Sequence, residues 1–252
     1  MLHVLNTRPV DRAKALSCAL QQAGYRVTEF PLLQLNAFAL GEPLTQALQQ
    51  LRSMHVVIVA SPSAAQIGLD YLNQLGIKVA GLALRWIAVG EGTADVLRQA
   101  GVQPSVPAIE TSEGVLDLQE LAGVTHPLKV MIWRGVGGRQ LMLNTLESQG
   151  HILHSLALYE RRLAPESIQH YRALSADMPD VLLISSGESW RYWQQLNQSA
   201  TAFNRQARYI LVLGQRVYQQ VCDDVLMMGQ SCDVIKLQDL RPDSILSALA
   251  AL

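Results

Sequence analysis

Charge of one sign is the first thing this sequence lacks: 20 lysines and arginines face 21 aspartates and glutamates over 252 residues. Without a basic field there is no electrostatic footprint for nucleic acid, and without an acidic run there is no polyanionic tail. Three cysteines, Cys18, Cys222 and Cys232, are too few and too scattered for a disulfide framework or a metal cluster. Cys18 falls within a helical pattern and is expected to be a small buried hydrophobe. The six histidines (His3, His55, His126, His151, His154, His170) include no i, i+4 pair and no adjoining carboxylate motif, so no metal is expected. No apolar run is long enough to span a bilayer. The opening "MLHVLNTRP" meets a charged turn after a few apolar residues, so no signal peptide is expected and the expected location is the cytoplasm. Nucleotide and hydrolase signatures are missing too. "RGVGGRQ" places Gln140 where G-x-G-x-x-G needs its third glycine, and no Walker lysine and serine follow. Ser185, Ser186 and Ser189 beside Glu188 form no G-x-S-x-G elbow and read as turn and N-cap residues.

What is present is ample core, at 49% apolar residues, and a hidden repeat. The segment from Leu2, "LHVLNTRPVDRAKALSCALQQAGYRVTEFPLL", aligns with that from Leu128, "LKVMIWRGVGGRQLMLNTLESQGHILHSLALY". Arg8 falls on Arg134 and Gly24 on Gly150 (134 − 8 = 150 − 24 = 126). Each copy reads as strand, Arg-containing turn, amphipathic helix, glycine at the helix end, and second strand. "HVVIVASPSAAQ" pairs in the same way with "DVLLISSGES", and "WIAVGEGTADVLRQAG" more loosely with "ILVLGQRVYQQVCDD". Near-continuous apolar strands alternating with helices predict parallel sheets covered on both faces, in two related doubly wound units. In such sheets ligands lie beyond the carboxyl ends of the strands. The turns "TRP", "SPS", "GEGT", "RGVGG" and "SSGES" all fall there.

These turns are rich in Gly, Ser, Thr and Pro. Main-chain N–H groups at a helix start with a hydroxyl beside them suit a carboxylate or phosphate. Arg8, Arg134 and Arg139 add charge-assisted donors. Trp190 and Trp193 are spaced for core packing. Tyr159 departs from the repeat, because its mate is Leu33 (159 − 126), and it either covers a core edge or presents a hydroxyl to the ligand.

Taken in order, "TRP" with "G-Y-x-V-x-x-x-P-L-L", "VVIVASPSAAQ", "IAVGEGTADVLRQAG", "RGVGGRQLMLNTLESQG", "LALYERR" and "DVLLISSGES" resemble the uroporphyrinogen-III synthase family over essentially the whole chain. The resemblance implies two flavodoxin- or Rossmann-like α/β domains joined by a two-stranded antiparallel linker, with an active-site cleft between them. The first would be discontinuous, residues 1–35 plus 170–252, and the second would span 38–160, with linkers near 31–38 and 155–169. From the residues alone, contiguous halves would be favoured. The resemblance further implies a cofactor-free lyase acting on hydroxymethylbilane, a linear tetrapyrrole with four acetates and four propionates. Water leaves the hydroxymethyl end of ring A, ring D attacks through its substituted position, and a spiro intermediate recloses with ring D inverted. Tyr159 is the implied catalytic residue. A phenol is ordinarily too weak an acid to give up its proton at neutral pH, so Tyr159 would assist departure of the hydroxyl by hydrogen bonding rather than as a full acid. Thr7, Arg8, Pro9, Ser61, Ser63, Gly90, Thr93, Arg134, Gly135, Ser185, Ser186, Gly187 and Glu188 are the implied binding residues. Where the family usually reads G-x-T-T-A, this chain has "LGQRVYQQV", so Arg216 is expected to replace a missing hydroxyl as carboxylate partner. A monomer is expected, with possible transient contact with hydroxymethylbilane synthase. The competing reading is a non-catalytic two-domain protein that closes on a small anionic metabolite.

Overall fold

Short apolar runs bounded by turn residues set the sheets, and the order in which they pair sets the topology. The computed structural model describes residues 1–122, 124–137, 140–174, 178–199 and 207–252. Its elements follow strand-then-helix order. The chain opens with β1 (His3–Asn6), α1 (Val10–Gln22), β2 (Arg26–Glu29) and β3 (Leu33–Ala37). It continues through α2 (Glu42–Gln49), β4 (Val56–Val59), α3 (Pro62–Gln74), β5 (Arg85–Ala88), α4 (Glu91–Gln99) and α5 (Ser112–Leu116). Then come β6 (Lys129–Gly135), α6 (Leu141–Ser148), β7 (Ile152–Leu163), α7 (Pro165–Leu174), β8 (Val181–Ile184) and α8 (Gly187–Ser199). The last elements are β9 (Tyr209–Leu213), α9 (Gly214–Met227), β10 (Asp233–Leu237) and α10 (Pro242–Ala250). The chain separates into one unit of Met1–Gln34 with Arg162–Leu252, and another of Leu35–Arg161.

The first unit holds a sheet of order β10-β9-β8-β1-β2, in which every neighbouring pair is parallel. Its strands are covered on both faces, as the apolar runs require. Leu5, Leu182, Ile184, Ile210 and Val212 feed one core, while Val4, Val181, Leu183 and Leu211 feed the other. The alternation is the two-residue period of a strand, with both sides apolar. Trp190 and Trp193 are fully buried, as their spacing on α8 predicts. Trp193 meets Phe30 and Tyr171 edge-on, at centroid distances of 6.2 and 5.4 Å. Cys18 differs from expectation, because it is exposed. The buried stripe of α1 runs through Ala13, Leu16, Ser17 and Leu20, and the next position round the helix faces out.

The second unit holds a sheet of order β3-β7-β6-β4-β5, parallel through β7-β6-β4-β5. Val57, Val59, Met131 and Trp133 enter one core, and Val56, Ile58, Val130 and Ile132 the other. α3 lies against Trp133 so closely that a Cβ on Gly68 would come within 2.4 Å of the indole, which is why that helix carries glycine there. Along β3 and β7, Phe38 N–H donates to Leu158 O at 3.0 Å and Ala164 N–H to Leu32 O at 3.2 Å. As one number falls the other rises, so these two segments run antiparallel. The repeat glycines Gly24 and Gly150 close α1 and α6 with φ of 87° and 84°, values an L side chain adopts only at a cost. Among the described residues no helix is long and apolar enough to cross a membrane.

Candidate active site

Each sheet has one place where the chain reverses its direction of travel across the strands. In the first unit the strands run outward from β1 to β2 one way and from β8 to β10 the other, so the reversal lies between β1 and β8. In the second it lies between β6 and β4. The carboxyl ends flanking such a reversal splay apart and leave a crevice.

In the second unit that crevice is a cavity of about 210 Å³. Ala60, Ser61, Ser112, Arg134, Gly135 and Tyr159 line it with Arg161, beside apolar Val89, Ile132 and Met142. Ser61 caps α3, where its Oγ accepts from Ala64 N–H at 3.1 Å. The same oxygen lies 3.0 Å from the Tyr159 hydroxyl. Tyr159 reaches that position through an irregularity in β6: the register shifts between Arg134 and Gly135, so that Gly135 faces Tyr159. Val136 N–H then donates to Tyr159 O at 2.7 Å. A Cβ at Gly135 would lie 2.6 Å from Tyr159 Cε2, so the glycine makes room for the ring. Tyr159 is 2% exposed, its ring in the core and its oxygen at the cavity. The ring covers a core edge, and the hydroxyl oxygen lies beside Ser61 at the cavity.

Arg134 folds back on its own turn, donating from Nε to Gly135 O at 3.3 Å and from a terminal nitrogen to Gly137 O. It thus braces the glycine-rich turn. Gly138 and Arg139 of that turn lie outside the described residues. Ser63 sits half-buried in the first turn of α3. Gly90 and Thr93 start α4, with Gly90 at the N-cap and Thr93 buried. The chain's own Glu110 already occupies that helix start: its carboxylate accepts from Glu91 N–H at 2.9 Å and lies where a Cβ on Gly90 would fall. A carboxylate is thus accommodated at one of these turns.

In the first unit the crossing between β1 and β8 is tied by Thr7, fully buried, whose hydroxyl donates to Leu183 O. Asn6, also buried, donates to Ala13 O and Ser17 Oγ and accepts from Arg8 N–H at 3.3 Å, which shapes the "TRP" turn. Pro9 is the N-cap position of α1, and Arg8 is half-buried beside it. Beyond β8, Ser185 is half-buried and Ser186 Oγ accepts from Ser189 N–H at 3.1 Å, the capping role its sequence context predicts. Gly187 opens α8 with Glu188 next to it. A Cβ on Gly187 would meet Gln220 at 2.7 Å and an Arg216 terminal nitrogen at 3.9 Å, so Arg216 stands at the start of α8. Thr7, Arg8 and Pro9 follow β1, while Ser185 to Glu188 follow β8, on either side of the reversal.

The sequence reading named Ser61, Arg134, Gly135 and Tyr159, which share the cavity, but passed over Ser112 and Arg161. Arg161 had a visible signal. It stands two residues after Tyr159 on β7, hence on the same strand face. Its guanidinium donates to the Tyr159 oxygen at 3.4 Å and lies 5.7 Å from the ring centroid.

Comparison with known proteins places the whole chain rather than its single residues. Residues 14–224 match the family model described as uroporphyrinogen-III synthase HemD. A uroporphyrinogen-III synthase of Proteus mirabilis is 28% identical over 162 residues, 64% of this chain and 80% of that one. One of Salmonella typhimurium is 28% identical over 195 residues, 74% and 76% of the two chains. Among solved structures, a mutant uroporphyrinogen III synthase of Thermus thermophilus superposes with a TM-score of 0.67 at 17% identity, covering 100% of this chain and 98% of that one. A Helicobacter pylori uroporphyrinogen-III synthetase superposes with a TM-score of 0.59 at 12% identity, covering 100% and 99%. At those identities the structural likeness speaks for the two α/β domains and their fold.

Proposed function

The chain belongs to the uroporphyrinogen-III synthase family, and on that premise we propose that it cyclises hydroxymethylbilane to uroporphyrinogen III. The reaction is a lyase step of tetrapyrrole biosynthesis, with loss of water and inversion of ring D through a spiro intermediate. The observation that carries the assignment is the Tyr159 hydroxyl, held 3.0 Å from Ser61 Oγ at the mouth of the β6/β4 crevice.

Size supports the division of labour. Cavities for drug-sized ligands run from roughly 300 Å³ upward, so about 210 Å³ suits one terminal pyrrole and its substituents rather than the whole bilane. Val89, Ile132 and Met142 give that ring an apolar bed, while Ser112 and the turn at Gly135 offer polar contacts to its acid side chains. Tyr159 assists departure of the ring A hydroxyl by donating a hydrogen bond to it. Within the second unit, the turns holding Ser61, Ser63, Arg134 and Gly135 bind acid side chains of that ring, largely through main-chain N–H groups. In the first unit, the turns holding Thr7, Arg8 and Pro9, and Ser185 to Glu188 with Arg216, offer donors of the same kind to a carboxylate. The bilane closes unaided to the uninverted isomer, so the enzyme succeeds by holding a geometry and closing the ring sooner. It acts as a cytoplasmic monomer that receives the unstable bilane through transient contact with hydroxymethylbilane synthase.

The test is incubation with freshly generated hydroxymethylbilane and chromatographic separation of the type I and type III isomers. Excess type III is expected. Type I alone, at the uncatalysed rate, would leave a binding protein instead.

A further inference from the structure

A proton inventory around Tyr159 points to a role for Arg161, and this rests on the assignment of Tyr159 just made. A serine or tyrosine hydroxyl has one proton and two acceptor positions, while a guanidinium only donates. Ser61 Oγ accepts from Ala64 N–H at 3.1 Å, which fills one of its acceptor positions. Arg161 donates to the Tyr159 oxygen at 3.4 Å, which fills one there. With Ser61 and Tyr159 sharing a hydrogen bond at 3.0 Å, one hydroxyl proton of the pair is left over. When Ser61 donates, both acceptor positions on the phenol oxygen are filled by protein, and the tyrosine proton is the one directed to the ligand.

We infer that Arg161 is a positioning residue for the dehydration step: with Ser61 it forms a two-donor seat for the Tyr159 oxygen, aims the phenol proton into the cavity, and holds the charge left when that proton is drawn away. Unaided, the phenol only hydrogen-bonds to the leaving hydroxyl; with both donors in place its proton passes across. The C–O bond of the hydroxymethyl group breaks with its electron pair on oxygen, and that oxygen takes the Tyr159 proton and leaves as water. The pyrrole nitrogen lone pair fills the exocyclic carbon, giving an azafulvenium cation beside a phenolate. Ring closure later releases one proton from carbon, which returns to Tyr159. A phenolate accepting from a guanidinium is a charge-assisted contact that shortens to roughly 2.7–2.9 Å, so the 3.4 Å contact tightens as negative charge develops. Donors already in place where charge appears are what lowers such a barrier. Arg134, whose guanidinium is committed to the carbonyls of Gly135 and Gly137, is not placed to do this.

Arg161 is exposed at the cavity rim, so its replacement leaves the fold standing. The experiment is a double-mutant cycle on isomer-resolved turnover, with wild type, Arg161→Met, Tyr159→Phe and the double variant. The expected result is a fall in kcat of about tenfold or more for Arg161→Met with KM little changed. In the Tyr159→Phe background the same change should alter kcat by less than about twofold, because Arg161 acts through the missing oxygen. Arg161→Lys should recover part of kcat. An equal loss in both backgrounds, or an effect confined to KM, would make Arg161 a substrate-carboxylate contact and overturn the inference. Wild-type kcat in Arg161→Met would overturn it as well. Failure of the wild type itself to form type III isomer would instead sink the functional assignment, so the two failures are separable.

Discussion

The substitution Gly135→Ala tests the site most economically, because it adds one methyl group and removes nothing. Its Cβ would stand 2.6 Å from Tyr159 Cε2, 2.7 Å from Cζ and 3.1 Å from the hydroxyl oxygen. Carbon atoms rest about 3.5–4.0 Å apart, so ring and methyl must separate by about 1 Å. The backbone cannot absorb this easily, because Val136 N–H is held to Tyr159 O at 2.7 Å across the same irregularity. Gly135 has no positive φ, so alanine brings no backbone strain of its own. The ring therefore moves, and the 3.0 Å contact with Ser61 opens towards 4 Å, beyond hydrogen-bond range. A misplacement of about 1 Å at a reacting group costs on the order of 100-fold in rate. Overpacking of this kind costs about 1–3 kcal/mol of stability, which at roughly 2–4 °C per kcal/mol lowers Tm by several degrees. The assay is initial type III formation at saturating substrate, alongside a thermal melt. A variant with wild-type kcat and unchanged Tm would mean that the methyl group meets no obstacle and that Gly135 does not set the place of the Tyr159 ring.

Other consequences follow from the same geometry. Ser61→Ala removes an N-cap as well as the Tyr159 contact; stability should fall by about 1 kcal/mol, read as a lower denaturation midpoint, with reduced kcat beside it. Glu110→Gln leaves the start of α4 without its carboxylate, and a loss of about 0.3–1 kcal/mol that shrinks at high salt is expected. His3 is 5% exposed, donating or accepting with Thr28 Oγ1 and bonded to Arg26. Burial, then the Arg26 guanidinium, push its imidazole below the ordinary value, against the opposing pull of Asp180. The unfolded chain therefore binds that proton first, and the stability contributed by neutral His3 is present above the unfolded pKa of about 6.5 and lost as pH falls below it. His3→Gln should flatten part of the decline in denaturation midpoint between about pH 7.5 and 5.5. An unchanged slope would show that carboxylates elsewhere account for it.

Much of the scaffold was legible because it rests on local rules. "VVIVA" and "VLLIS" announced strands covered on both faces, and Val56 to Val59 and Val181 to Ile184 are fully or almost fully buried. Gly24 and Gly150, one repeat apart, sit at positive φ where helices end. Tyr159 stood out only because its repeat mate is Leu33. What eluded local rules is long-range. Ser61 and Tyr159 meet across 98 residues of sequence. Glu110 reaches back 19 residues to a helix start that looked open. The pairing of β1 with β8, Val4 opposite Val181, is set by sheet assembly rather than by any pattern in either strand. Cys18 was misjudged because a helical pattern does not by itself say which face is inward, and the stripe through Leu16 and Leu20 decides that. Arg161 was within reach, since a two-residue period follows directly from β7.

The most direct measurement compares wild type with Tyr159→Phe on freshly made hydroxymethylbilane, separating the isomers over a time course. The variant should fold, losing about 1–3 kcal/mol with the phenol's two hydrogen bonds. The wild type should form type III rapidly, and the variant's product should be dominated by slow, uninverted type I. Type III released by the variant at the wild-type rate would contradict a role for Tyr159 in the reaction.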